Sequence, residues 1–292
     1  MVGRRGRRFA ERGIEWFIVV NGILAIAVIL LIFFFLMREG LPVLRYTGVS
    51  DFLGGREWHP VPDEIFGILP IILGSLWVTL GATAIALPIG VACAVYLAEV
   101  APPMVREVLK PTVEVLAGIP SVVIGFIGYV ILAPVIRDVF GLNTGLTALT
   151  GAIMLGFMAM PTIISISEDA IVAVPREYRD AALALGASKW QSIAGVIVPA
   201  ARSGIIAAVM LGIGRAVGET MTVLMVTGNA AVIPSTFLEP VRTMTATIAA
   251  EMGEVVHGSP HYHALFAIGI MLFVITFLIN LAADAALRRS TQ

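Results

Sequence analysis

The chain contains six apolar stretches, each long enough to cross a lipid bilayer as a helix. A bilayer core about 30 Å thick needs about 20 residues, because an α-helix rises about 1.5 Å per residue. With 58% hydrophobic and 13% charged residues, the chain has too much apolar surface for a water-soluble domain. The sequence therefore predicts an all-α, polytopic membrane protein with six transmembrane helices, at residues 16–37, 66–98, 113–136, 146–166, 204–227 and 264–285.

Prolines fall within the second and fourth predicted spans. Pro70 and Pro88 are in the second span, and Pro161 is in the fourth. Proline removes a backbone donor, but neighbouring helices in a membrane bundle can satisfy the freed groups. We therefore expect kinks at these prolines rather than helix ends.

The distribution of Lys and Arg predicts the orientation of the chain. With the N-terminus inside, thirteen of the 19 basic residues fall in cytoplasmic segments. The five in outer segments are Arg38, Arg45, Arg56, Arg137 and Arg242. Basic residues concentrate on the cytoplasmic side of membrane proteins. Both termini are therefore predicted to be cytoplasmic.

This topology divides the chain into segments. Residues 1–15 are a basic cytoplasmic tail, and residues 16–37 are a first span that acts as a signal anchor. That stretch is longer than the apolar core of a cleaved signal peptide and lacks a small-residue cleavage site. An extracytoplasmic loop covers residues 38–65, a core with five further helices covers residues 66–285, and a cytoplasmic tail covers residues 286–292.

A polar segment, residues 167–203, separates the fourth and fifth spans. Pro175 is well placed to open a helix and Gly186 to end it. Ser188 is a good cap for a second short helix that includes Trp190. Such a helical pair could fit into a groove of another protein. It could equally lie on the membrane surface with Trp190 as its anchor.

The same segment resembles the coupling loop of permease subunits of ATP-binding-cassette (ABC) importers. The family pattern is EAA, three residues, Gly, nine residues, then Ile-x-Leu-Pro. Here Asp180, Ala181 and Ala182 are followed at the same spacings by Gly186 and by a Val-x-Val-Pro sequence that ends at Pro199. Asp replaces Glu, and two valines replace Ile and Leu. The resemblance implies a type I ABC importer permease fold, in which these residues form the loop that docks into an ATPase subunit.

The chain has no sequence suited to hold nucleotide phosphates. A phosphate-binding loop needs glycines followed by Lys and then Ser or Thr. The two lysines, Lys110 and Lys189, stand in VLKPT and GASKWQ, and neither follows a glycine. We therefore expect a non-catalytic subunit without a cofactor, driven by a separate ATPase.

Two charged residues, Arg215 and Glu219, interrupt the fifth predicted span. A charge at the bilayer centre costs about 2.5–3.5 kcal/mol. On one continuous helix the two would share a face and neutralise each other, and Gly214 and Gly218 would let another helix approach closely. The pair could be a static contact between helices. Alternatively, Glu219 could hold Arg215 in place while its guanidinium receives an oxyanion such as phosphate.

A closer resemblance covers nearly everything after residue 60. The sequence GRAVGETMTVLMVTGN, residues 214–229, resembles a helix in permease subunits of the bacterial phosphate-specific importer, and among them the PstC type. AGIPSVVIGF, residues 117–126, resembles the same family. The resemblance implies phosphate import by alternating access across the cytoplasmic membrane of a prokaryote. It also implies that Arg215 and Glu219 are needed for translocation, and we rank the adjacent Thr220 first among further phosphate contacts.

The resemblance implies partners as well. A sister permease subunit (PstA-like) would complete the pathway, and two ATP-binding-cassette subunits (PstB-like) would supply the energy. An extracytoplasmic phosphate-binding protein (PstS-like) would deliver the anion. Membrane lipid would surround the spans, and no nucleic acid would be bound.

Other functions are compatible with parts of the pattern. The same architecture could carry sulfate, molybdate or an organic solute. A self-sufficient ion-coupled carrier would use Glu219 as a proton relay, and a signalling or assembly subunit would transport nothing. His261 and His263 lack a third ligand nearby, which favours loop residues over a metal site.

Overall fold

The computed structural model describes residues 4–290, with side chains for residues 13–285. Most of the two predicted tails, residues 1–15 and 286–292, lies outside the described side chains. Helices dominate the architecture. Those in the first half are α1 (Arg4–Gly40), α2 (Leu44–Thr47), α3 (Val49–Gly54), α4 (Leu69–Val95), α5 (Pro103–Ala117), α6 (Ser121–Ile127) and α7 (Ala133–Phe140). Those in the second half are α8 (Ala148–Val172), α9 (Arg176–Ala184), α10 (Lys189–Ser192), α11 (Val198–Ala200), α12 (Arg202–Val217), α13 (Met221–Val226), α14 (Met244–Glu251) and α15 (Pro260–Ser290).

Shorter elements connect these helices. Three π-helical turns, Tyr96–Val100, Gly128–Leu132 and Ile193–Ile197, continue α4, α6 and α10. A 3-10 turn, Leu41–Val43, follows α1. Strands β1 (Trp58–His59) and β2 (Ile65–Phe66) pair antiparallel, with Trp58 opposite Phe66.

In the described part of the chain, five helical segments are long and apolar enough to cross a membrane. They are Gly13–Thr47, Leu69–Val100, Ser121–Phe140, Ala148–Val172 and Pro260–Ala285. A sixth is counted if Lys189–Ala200 and Arg202–Val217, which are bent by 69° relative to each other, are taken as one span. The six segments follow the order of the six predicted spans.

Two predicted spans are broken, although both were expected to be continuous. In the third, α5 ends at Ala117 and α6 begins at Ser121. The residue before a proline is disfavoured in helical conformation, and Pro120 itself is extended (φ −59°, ψ 138°). In the fifth, α12 ends at Val217 and α13 begins at Met221.

Two of the prolines at which kinks were expected interrupt neither of their helices, which is the part of the expectation that the structure tests. Pro88 and Pro161 lie inside α4 and α8 and end neither helix. Pro70 instead lies in the first turn of α4, where the missing backbone N–H would have no helical partner. The expected kink at Pro70 was therefore wrong.

Small residues pack α4, α8 and α12 closely together. A methyl group added at Gly81 of α4 would lie 2.7 Å from Ala152 of α8, and one added at Gly212 of α12 would lie 2.6 Å from Ile163 of α8. Such small residues let helix backbones approach closely. Close packing matters in a membrane, because burial of apolar surface from water does not drive helices together there. In contrast, α1 packs along α15 and its apolar segment is exposed. The centre of the bundle is therefore α8.

Connections gather at two ends of the bundle. We call the end formed by residues 96–112 and 173–201 the loop end, and the end formed by residues 41–68, 141–147 and 227–259 the far end. Hydrogen bonds hold connections together at the far end, where the N–H of Ala148 donates to the carbonyl oxygen of Glu239 at 2.9 Å.

Candidate functional site

The two chain breaks meet inside the bundle. One, Gly118–Pro120, separates α5 from α6, and the other, Gly218–Thr220, separates α12 from α13. The hydroxyl of Thr222 on α13 donates to the carbonyl oxygen of Ser121 on α6 at 3.0 Å. Each break leaves helix-terminal backbone groups without their usual partners. This meeting point is therefore the place in the spans where polar groups are available.

The Arg215 guanidinium lies at this meeting point. It donates to the carbonyl oxygen of Ala117, the last residue of α5, at 3.3 Å and to Thr162 Oγ1 at 3.4 Å. Thr162 is close to the middle of α8, so the cation lies about halfway along the spans. Both acceptors are neutral and both distances are long for hydrogen bonds. The guanidinium is therefore held weakly.

Glu219 does not pair with Arg215, contrary to the prediction. Within residues 13–285, no carboxylate oxygen lies within 4.0 Å of the Arg215 guanidinium. Glu219 Oε1 instead accepts from the backbone N–H of Thr222 at 3.2 Å and so caps α13. Because α12 ends at Val217, a spacing of four residues no longer places the two side chains on one helix face.

The second break is also attached to α14. Thr245 Oγ1 donates to the backbone carbonyl oxygen of Glu219 at 2.6 Å. Thr220 is partly exposed, and its hydroxyl donates to the carbonyl oxygen of Gly218 at 3.4 Å. The break is thus a fixed polar turn, and the Thr220 hydroxyl is accessible beside it.

The face of α12 that carries Arg215 is open. Leu211, one turn earlier, is 56% exposed, and a methyl group added at Gly214 would meet no atom within 4 Å. The close helix approach predicted at Gly214 and Gly218 is therefore not made by the described part of this chain. Gly212 makes it instead, against α8. Arg215 borders a surface that its own chain leaves uncovered.

Gly186 ends α9 as predicted. Its φ of +85° is a conformation that favours glycine. Its N–H donates to the carbonyl oxygen of Leu183 at 2.9 Å, and the N–H of Ala187 donates to that of Ala182 at 3.1 Å, which together form a Schellman motif. Ser188 then caps α10 in a capping box, also as predicted.

Residues 183–190, which include both caps, are called the loop tip here, and they expose apolar side chains. Leu185 is 90% exposed, Trp190 66% and Leu183 50%. Exposed apolar groups gathered in one place indicate a contact surface. The residues that match the coupling-loop pattern are exposed except for Ala182, which is buried: Asp180, Ala181, Ala182, Gly186 and Pro199.

A buried carboxylate, which the sequence reasoning missed, joins α5 to α8. Glu168 is 1% exposed and accepts from Arg106 and, at 2.5 Å, from Lys110. Lys110 also contacts Asp169 at 2.8 Å, and its hydrogen bonds to Asp169 and Glu168 raise the pKa of Lys110. Arg106 and Lys110 are four residues apart, so one face of α5 carries both. The sequence signal for this cluster was the pair Glu168 and Asp169 at the end of an apolar span.

A second ionic cluster lies at the far end. The Glu251 carboxylate accepts from Arg242 at 2.5 Å and from the buried Trp58 indole at 3.2 Å, and it lies 2.8 Å from His261 Nε2. This cluster attaches the β1–β2 ribbon to the segment that follows α13. His263 contacts a backbone carbonyl oxygen instead. The described residues contain no group of three potential metal ligands.

A family model matches residues 86–292 of this chain, and its description is "Binding-protein-dependent transport system inner membrane component". The chain belongs to this family. Its members are membrane permeases of ABC importers, which work with ATPase and substrate-binding partners. The prediction of a polytopic ABC importer permease is confirmed.

Relatives match over most of their length. The probable ABC transporter permease protein YqgH of Bacillus subtilis is 40% identical over 278 residues, covering 94% of this chain and 90% of that protein. The phosphate transport system permease protein PstC of Mesorhizobium japonicum is 38% identical, covering 82% and 78%. PstC 1 of Mycobacterium tuberculosis is 32% identical, covering 100% and 95%.

Solved structures share the fold at lower sequence identity. A chain of a bacterial alginate ABC transporter, solved with an alginate-bound periplasmic protein, has a TM-score of 0.66 at 17% identity and covers 98% of this chain and 99% of its own. A chain of the inward-facing MetNI methionine transporter has a TM-score of 0.60 at 20% identity, covering 77% and 96%. The predicted type I importer permease fold is thereby confirmed.

The cluster around Glu168 predicts an asymmetry in stability. Replacing both cations, Arg106→Met with Lys110→Met, leaves a buried carboxylate without partners, which costs about 3–5 kcal/mol. Glu168→Gln leaves two cations that are 36% and 31% exposed and can be hydrated. We therefore expect the free energy of unfolding to fall by about 1–2 kcal/mol in this variant. Thermal unfolding in detergent, followed by circular dichroism, compares the variants. If Glu168→Gln lost as much stability as the double variant, or more, Glu168 would not be the buried charge on which the cluster depends.

Proposed function

We propose that this chain is the phosphate-translocating permease subunit of an ATP-driven importer. The observation that carries the proposal is the Arg215 guanidinium, which lies halfway along the spans on an uncovered face without a carboxylate partner among the described side chains. Relatives named as phosphate transport permeases, 32–38% identical over most of the chain, support phosphate as the substrate.

Arg215 would recognise the anion by exchanging weak acceptors for strong ones. Its present acceptors are neutral and lie at 3.3 and 3.4 Å. Hydrogen bonds from guanidinium to phosphate oxygens are shorter and about twice as strong as neutral ones. This exchange provides affinity for the anion. The Ala117 carbonyl oxygen and the Thr162 hydroxyl can accept from the guanidinium again when the anion leaves. That competition would limit affinity and allow release.

Glu219 and Thr220 complete the proposed pathway. Glu219 would keep the break in shape by capping α13, since its carboxylate accepts from Thr222 rather than from Arg215. Thr220, partly exposed in the same turn, would offer its hydroxyl to a phosphate oxygen. The pathway would open alternately to the two sides of the membrane, around a site near its middle.

The open face of α12 would be covered by a second, homologous permease of the PstA type. Two PstB-type ATPases would bind at the loop end, and a PstS-type phosphate-binding protein at the far end. The excess of Lys and Arg in the segments of the loop end supports a cytoplasmic location for this end and for both termini. In this proposal the chain is not itself catalytic.

The loop tip is the proposed docking surface for the ATPase. Its apolar residues, Leu183, Leu185 and Trp190, are at least half exposed, and two helix caps hold the backbone that presents them. A self-sufficient carrier would have no use for such a surface, which favours an ATP-driven importer. A guanidinium also binds sulfate well, so sulfate transport is the alternative, and it is tested by comparing uptake of the two anions.

Arg215→Ala should lower phosphate uptake by about tenfold to a hundredfold, because hydrogen bonds to charged groups contribute about 1.5–3 kcal/mol. Uptake of radiolabelled phosphate into proteoliposomes that contain all subunits measures the effect. Arg137→Ala, at an arginine that is 50% exposed and paired with Asp138, is the control and should transport normally. Normal uptake in Arg215→Ala would refute the site. Wild-type uptake of sulfate in preference to phosphate would refute the substrate.

Leu185→Asp should release the ATPase subunits, because it places a charge in an apolar contact. Co-purification of the ATPases with the tagged permease in detergent measures attachment. Val256→Asp is the matched control, since Val256 is 76% exposed but lies at the far end. Full co-purification of the ATPases with Leu185→Asp would argue against docking at the loop tip.

A further inference from the structure

Apolar packing holds α9 to the rest of the molecule only weakly. Of its nine residues, all of which the structure describes, Ala182 alone is buried. A helix that passes force from a partner to the spans needs a firmer attachment than one small side chain. The polar contacts of Arg179 supply it.

The Arg179 guanidinium joins three helices at one point. Its Nε donates to both carboxylate oxygens of Glu99, at 2.9 and 3.2 Å, and one terminal nitrogen also donates to that carboxylate. Glu99 lies in the π-helical turn that ends α4. The two terminal nitrogens donate to the backbone carbonyl oxygens of Val174 at 3.0 Å and Ile171 at 3.3 Å, at the end of α8.

This contact is costly to break and specific to arginine. The side chain of Glu99 is 8% exposed, and that of Arg179 is 22% exposed. A carboxylate in that position without its partner would be an uncompensated buried charge. The hydrogen bond to Glu99 also raises the pKa of Arg179. Lysine has no planar fork and cannot serve a carboxylate and two separate carbonyl groups in this geometry.

Beneath this contact, an apolar cluster attaches the second half of the loop. Ile193 and Ile197, which follow α10, pack with Ala94 of α4 and with Ile171 and Val174 at the end of α8. The loop is thus fixed on both sides to the same two spans. The ends of α4 and α8 and the helices α9 and α10 form one packed unit.

We propose that Arg179 and Glu99 are a positioning pair that transmits movement of the loop tip to α4 and α8. The proposal rests on the proposed function of ATP-driven import. Movement of α8 would also affect the proposed pathway, because α8 carries Thr162, which accepts from Arg215. Displacing α8 at its loop end therefore changes an acceptor of the guanidinium at its middle. A permease without the pair would keep its ATPase but lose the connection between hydrolysis and transport.

The test measures phosphate transported per ATP hydrolysed in proteoliposomes that contain the full complex. Arg179→Lys keeps the charge but removes the fork, and Glu99→Gln removes the charged acceptor. In both, the ratio should fall about tenfold while the ATPases stay attached and hydrolysis persists. Arg176→Gln, which removes an exposed charge from the same helix, should leave the ratio unchanged.

An unchanged ratio in both single variants would overturn the proposal. If Glu99→Gln fails to assemble, Arg179→Lys, which keeps a cation beside Glu99, decides: an uncoupled complex supports the proposal, and coupled transport refutes it. A second measurement tests the positioning pair whichever anion is transported. It is the stimulation of ATP hydrolysis by the solute-loaded binding protein. If the wild type imports sulfate and not phosphate, the substrate assignment fails. Loss of that stimulation in Arg179→Lys would still support the positioning pair, and full stimulation would count against it.

Discussion

A guanidinium in the middle of apolar spans must find acceptors there, and the arrangement around Arg215 follows from that need. The C-terminal end of a helix offers free carbonyl groups and a partial negative charge. Arg215 uses the end of α5 in this way, through the Ala117 carbonyl oxygen. Glu219 uses the opposite end of another helix, the N–H of Thr222 near the start of α13. The two charges are therefore stabilised by helix ends rather than by each other.

This solution leaves Arg215 available for a substrate. A close ion pair with Glu219 would have neutralised the guanidinium and would compete with any incoming anion. Neutral acceptors at long distances compete much less. Because the face beside Gly214 is also uncovered, the same breaks that make the charge tolerable make it accessible. The interrupted helices are thus part of the proposed site.

Ionic contacts at the ends of the bundle serve a different purpose. Glu168 fixes α5 to α8, Glu99 fixes α9 to α4, and Glu251 fixes the β-ribbon at the far end. Between these ends, glycine and alanine let α4, α8 and α12 pack closely together. Rigid ends with closely packed spans between them suit a molecule that passes movement from a surface loop to a central site.

The sequence predicted those features that depend on local chemistry. Apolar runs of span length indicated the six segments, and Gly186 and Ser188 indicated the caps of the coupling loop. The break at residues 118–120 has a local signal in Pro120, but its contact with Arg215 has none, because Arg215 and Ala117 are 98 positions apart. The break at residues 218–220 is held by Thr245, which is 26 positions from Glu219. The same holds for Arg179 and Glu99, which are 80 apart, and for Arg106 and Glu168, which are 62 apart. Spacing along a chain contains no information about such pairs.

The central claim is that position 215 borders water and not lipid, and thiol labelling tests it most directly. The chain has a single cysteine, Cys93, so Cys93→Ser gives a background without thiols. In that background we would place one cysteine at position 215 and, for comparison, one at position 26 on the exposed, peripheral α1. A charged methanethiosulfonate reagent, which reacts with thiolates in water, would then be applied to the assembled complex in membranes. The account predicts rapid labelling at position 215 and none at position 26. Labelling at neither position, or equal labelling at both, would contradict it.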